Sequence, residues 1–164
     1  MKWLMYTVAL FLAASLSVDA QEKKYDDVNA GIHITYPHDW TGPIELARNI
    51  AFRSPEGLTL LIGTFPGDAG LLENKRGIYD SFLSGKSEKI EAPVKLETPD
   101  KELTCIKARL PAKSNDIAIP DMYSCLAINK SRCYLLSLAG PAGLASIGHP
   151  VFVKAIQAVL GIEP

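Results

Sequence analysis

The sequence predicts an α+β domain, a mainly antiparallel sheet flanked by two amphipathic helices. Three observations predict it. Apolar–polar alternation recurs in short runs bounded by Pro, Gly and Asn turns. Two other segments, 71–83 and 150–160, change to helical spacing. Those two lie in the middle and at the end of the chain, and each must cover sheet surface to bury its apolar stripe.

The elements follow in order. Lys2, the apolar stretch Trp3–Leu16 and the small residue Ala20 before Gln21-Glu22-Lys23-Lys24 have the three-part pattern of a cleavable signal peptide. Residues 1–20 are therefore expected to be removed, and residues 21–164 to form one domain. The polar stretch Gln21–Asp27 reads as a loose end. Gly31–Tyr36 alternates and reads as a strand, stopped by Pro37, and Pro37–Pro43 reads as a loop anchored by Trp40. Ile50–Arg53 and Leu58–Phe65 read as a hairpin around the turn residues Ser54-Pro55-Glu56-Gly57.

The spacing of Leu71, Leu72, Ile78, Tyr79, Phe82 and Leu83 predicts a helix, with Gly85 as its stop. Four strands are expected over Lys89–Glu97, Glu102–Leu110, Asp121–Asn129 and Cys133–Leu138. A closing helix begins near Pro150, a residue well suited to a first helical turn, and ends at Gly161. The expected core comprises Trp40, Phe52, Leu60, Ile62, Tyr79, Phe82, Ile106, Leu126, Leu136, Phe152, Ile156 and Leu160.

The formal net charge is −1, and removing residues 1–20 takes away one Lys and one Asp, so the balance is unchanged. A near-neutral chain has no long-range attraction for nucleic acid, so no nucleic-acid partner is expected. No integral membrane span is expected once the signal is cleaved.

The run Ile34-x-Tyr36-Pro37-x-x-Trp40, followed by Phe52-x-Ser54-Pro55-x-Gly57 and an apolar strand, resembles the PsbP-like and DcrB-like group of exported α/β/α domains. A helix, a strand meander and a closing helix extend the likeness over residues 25–161. The resemblance implies an α/β/α sandwich, an extracytoplasmic compartment and an accessory role in binding. It assigns no functional residue.

Motifs with catalytic associations lack their context. Gly85-Lys86-Ser87 has Asp80 where a phosphate-binding loop needs its first Gly, and it ends a helix where the motif should begin one. Gly63-x-x-x-Gly67-x-x-Gly70 has neither the spacing nor the parallel βαβ unit of a dinucleotide fingerprint. His33, His38 and His149 form no metal-ligand spacing, and neither metal nor cofactor is expected. His38 and Asp39, with His149 brought in by the fold, are the candidate set for a small hydrolase-type enzyme. Asn129-Lys130-Ser131 is a glycosylation triplet on a turn in a eukaryotic source, and simply a good turn in a bacterial one.

Three cysteines lie in the second half, and export would expose them to an oxidising compartment. Cys105 and Cys125 sit mid-strand in successive runs, symmetrically about Asn115, so antiparallel pairing sets them opposite each other as a disulfide. A Cys125–Cys133 bridge requires a turn that aligns the two; Cys105–Cys133 requires strands that are not neighbours. Three reduced, buried thiols are the other reading. No Cys-x-x-Cys arrangement supports a thiol redox protein.

The expectation for function is an exported, periplasmic or secreted, non-catalytic accessory protein that binds a protein partner in the cell envelope. The alternative is the hydrolase built on His38, Asp39 and His149.

Overall fold

Alternation along the second strand divides its side chains cleanly. Ile32, Ile34 and Tyr36 are buried, while His33 and Thr35 face outward. In the computed structural model, which describes residues 21–66, 87–109, 121–130, 132–141 and 143–163, this strand, β2 (Ile32–Pro37), pairs antiparallel with β1 (Glu22–Asp27). The remaining strands are β3 (Thr41–Leu46), β4 (Asn49–Arg53), β5 (Thr59–Pro66), β6 (Ser87–Ile90), β7 (Lys101–Arg109), β8 (Asp121–Asn129) and β9 (Arg132–Gly140). They form a second, seven-stranded antiparallel sheet in the order β3-β4-β5-β9-β8-β7-β6.

One helix, α1 (Pro150–Leu160), lies among the described residues. Pro150 opens it, and Gly161 closes it in the left-handed conformation (φ 59°), which glycine adopts without strain. Its buried stripe of Val151, Phe152, Ala155, Ile156, Val159 and Leu160 packs on β2, β8 and β9. The β1–β2 hairpin and α1 thus cover one face of the large sheet, meeting Phe52, Leu60, Ile62, Leu136 and Leu138, all fully buried.

β8 and β9 are buried on both faces along most of their length, so their sequences read as nearly continuous apolar runs. Leu126, Ile128 and Cys133 form one cluster on the second face, and Ile106, Ala108 and Met122 another. Amid them Ser124 and Ser137, paired across the strands, satisfy each other at 2.9 Å; Ser124 also donates to the Leu136 carbonyl at 3.2 Å. A hydroxyl pair buried here needs this mutual bond, because an unmade one costs about 1–3 kcal/mol.

The mainly antiparallel sheet is present, and the expected core residues among those described are buried. The second flanking helix expected over 71–83, with Tyr79 and Phe82, falls outside the described residues. Three local expectations need correction. Gln21–Asp27 is not loose, since residues 22–27 form β1, and Lys23 donates through its Nζ to the Trp40 carbonyl. The loop expected over Pro37–Pro43 gives way to β3, whose pairing with β4 is interrupted by a bulge between Thr41 and Ile44, the place where Gly42 and Pro43 fall. The strand expected over Lys89–Glu97 stops at Ile90. Pro93 lacks the N–H a ladder needs, yet Ala92, Val94 and Leu96 still rest on the main core, which explains their alternation.

Candidate functional site

The β7–β8 register pairs Cys105 with Cys125, symmetric about residue 115, and their sulfurs are bonded at 2.07 Å. Cys133 is buried and takes no part in that bridge. The β8–β9 register sets Asn129 against Arg132, with Lys130 at φ 57° after β8, so Cys133 opposes Ile128 on the other face of the sheet from Cys125. A disulfide inside the core fits an oxidising compartment.

A groove of about 560 Å³ runs between the outward face of the β1–β2 hairpin and the C-terminal half of α1. Period-two alternation puts Glu22, His33 and Thr35 on its hairpin side, and helical spacing puts Lys154, Gln157 and Ala158 on the other. Two charged pairs border it. His33 Nδ1 lies 2.9 Å from Asp26 Oδ1, its cross-strand partner. Lys154 pairs with Glu22 and ties α1 to β1. The Lys154 ammonium holds the Glu22 carboxyl below the ordinary carboxylate range, with a smaller contribution from the Thr35 hydroxyl. The imidazole and carboxylate of the His33–Asp26 pair are 58% and 64% exposed. Water therefore screens their attraction. Thr35 lies on the same face of β2 as His33, towards the Glu22 carboxyl.

His38 and Asp39 sit exposed on the turn after β2, where the His38 backbone N–H donates to the Gln21 carbonyl. His149 caps α1. Its Nδ1 accepts the Val151 N–H at 3.3 Å, and its ring lies 6.1 Å from that of Trp40. None of the described grooves is lined by His38, Asp39 or His149. Ser87 begins β6 and Gly63 lies within β5, while Lys86, Gly67, Gly70 and Ser131 lie outside the described residues. Among the described residues no group of three or more His, Cys, Asp and Glu side chains is placed to hold a metal ion. No helix among them is long and apolar enough to cross a membrane. The His–Asp pair that does form, His33 with Asp26, depends on the register of β1 with β2.

Burial pushes the His149 imidazole below its ordinary value near 6.5, against a smaller opposing pull from Glu56. A neutral Nδ1 can accept the Val151 N–H; a protonated one cannot. The neutral form therefore stabilises the fold fully above about pH 6.5, and that contribution is lost as pH falls through the depressed folded value. Replacing His149 with Ala is expected to remove about 0.5–2 kcal/mol. His149→Asn should keep a cap, and urea midpoints between about pH 7.5 and about pH 5 should then fall less than in the parent.

No family model matches the sequence, and no curated protein matches it. Solved structures do. A crystal structure from Bacteroides thetaiotaomicron VPI-5482 is similar at 14% identity and a TM-score of 0.54, over 85% of this chain and 47% of that one. The chain thus spans about half the length of that protein. The solution structure of cyanobacterial PsbP (CyanoP) from Synechocystis sp. PCC 6803 is similar at 18% identity and a TM-score of 0.45, over 80% of this chain and 87% of that one. A PsbP structure is thus among those this chain is similar to. At these identities the likeness is one of fold.

Proposed function

We propose that the protein is an exported accessory protein, periplasmic or secreted, that acts by binding a protein partner in the cell envelope and catalyses no reaction. The observation that carries the binding role is the groove between the hairpin and α1. It is concave, with a volume of about 560 Å³, and that size is within the range of ligand clefts. Along it His33 pairs with Asp26 and Glu22 with Lys154. Such pairs can be desolvated together under a partner, whereas catalysis needs a nucleophile beside an available base. The Cys105–Cys125 disulfide and the signal pattern of residues 1–20 support export.

Affinity capture with the mature chain, residues 21–164, from the envelope fraction of the source cell tests this reading. A specific partner is expected, and its recovery should fall when Gln157 and Ala158 on the groove wall are replaced by Arg. Recovery at background level, or recovery indifferent to those changes, would overturn it.

A further inference from the structure

At one end of the molecule the β1–β2 and β3–β4 turns come together over the end of β5 and the start of β9. Asn29 and Ala30 from the first turn, Arg48 from the second, Phe65 and Tyr134 line a groove of about 370 Å³, and Arg132 completes it. Its two arginines come from distant parts of the chain, and both are seated. Gly31, at φ 67°, leaves its outer side bare, and the Arg132 guanidinium occupies that space: a Cβ there would lie 1.6 Å from Nη1. The Tyr134 hydroxyl anchors the same turn at the Ala30 carbonyl, 3.0 Å away. Arg48 follows Ala47, a non-glycine residue at φ 56°. Residues with a Cβ seldom adopt that conformation. The Arg48 carbonyl accepts the Thr64 N–H at 3.2 Å, which fixes the turn to β5.

Both arginine side chains are exposed, and among the described residues neither guanidinium has a hydrogen-bond or ion-pair partner. Asp27 and Glu45 line the adjoining cleft with Arg48, and the Asp27 carboxylate accepts the Ala30 N–H. A protein of net charge −1 therefore concentrates two unanswered cations in one concave place. Two like charges held in a cleft focus a field on an anion, and a guanidinium fork matches the oxygens of phosphate or carboxylate.

We propose that this groove binds a small molecule carrying a doubly charged oxyanion, a phosphate ester or a dicarboxylate, between Arg48 and Arg132. The Phe65 and Tyr134 rings flank the space open to its organic part. The site goes beyond the protein-binding role proposed above, and it is tested on the purified protein without any partner.

The experiment is an amide NMR titration of the mature chain with inorganic phosphate and, separately, with succinate, each at an ionic strength matched with sodium chloride. Saturable shifts are expected at Ala30, Gly31, Arg48, Arg132 and Tyr134, with none from sodium chloride alone. Saturation by one dianion but not the other supports the site and assigns its source. Arg48→Gln and Arg132→Gln, both surface changes, should each weaken affinity about tenfold, the scale of one lost charged hydrogen bond. Arg132→Lys, which keeps the charge without the fork, should fall between. Linear, non-saturating shifts with both dianions, or an affinity unchanged in Arg48→Gln and Arg132→Gln, would overturn the site. Partner capture that persists in those variants would leave the accessory role standing without it.

Discussion

Truncating Phe52 to Ala is expected to destabilise the protein by about 3–5 kcal/mol, more than any other single substitution proposed for this chain. The residue has no exposed surface. It lies on β4 where the large sheet meets the β1–β2 hairpin, and its ring is a contact between them. The Tyr36 ring lies 4.6 Å away, tilted by 47°, and the Tyr25 ring 5.8 Å away, edge to face at 70°. The Phe52 ring also abuts Gly42, where an added Cβ would come within 2.7 Å of Phe52 Cδ1. Removing the ring opens a cavity between the two sheets, so the loss includes both transfer and void contributions. Urea titration of the oxidised protein measures it. A loss below about 1 kcal/mol, closer to that of a surface change, would mean that the hairpin is not seated on Phe52.

Removing the Cys105–Cys125 bridge should cost about 3 kcal/mol in the chain-entropy view, because the bond closes a loop of sequence separation 20. Both cysteines are buried, and Ala at each fits a space already occupied by a small side chain. The double variant Cys105→Ala/Cys125→Ala should therefore unfold at lower urea and lose its sensitivity to dithiothreitol. Cys133→Ala should keep that sensitivity, since Cys133 faces the opposite side of the sheet beside Leu126 and Ile128. Reductant sensitivity that vanishes in Cys133→Ala would show that a different pair carries the bridge.

Legibility in the sequence tracks how completely an element's side chains are committed to a core. The α1 stripe and the alternation of β2 are both set by burial on one face, so periodicity finds them. The opposition of Cys105 and Cys125 follows from symmetric spacing about one turn. β1 escapes because Glu22, Lys23, Lys24, Asp26 and Asp27 carry no apolar alternation, and only Tyr25 reaches Phe52. Its strand is made by backbone pairing with β2, a tertiary circumstance that side-chain pattern does not encode. β3 escapes because Gly42 and Pro43, which read as turn residues, sit in a bulge at the sheet edge. The groove residues are hidden for the same reason. His33 meets Asp26 only through the β1–β2 register, and Arg48 and Arg132 meet only because β5 pairs with β9 and brings two turns to one end. Adjacent His38 and Asp39 look more promising in the chain, but a turn points such neighbours outward.

Fold likeness to the Bacteroides structure leaves function to the surface of this chain. The accessory role proposed for that surface presupposes a protein that matures outside the reducing cytoplasm. Intact-mass spectrometry of the exported protein, denatured and alkylated before and after reduction, tests that premise most directly. The predicted result is a chain beginning at Gln21 with one alkylatable thiol, Cys133, before reduction and three after it. A chain that retains residues 1–20, or three alkylatable thiols before reduction, would contradict it.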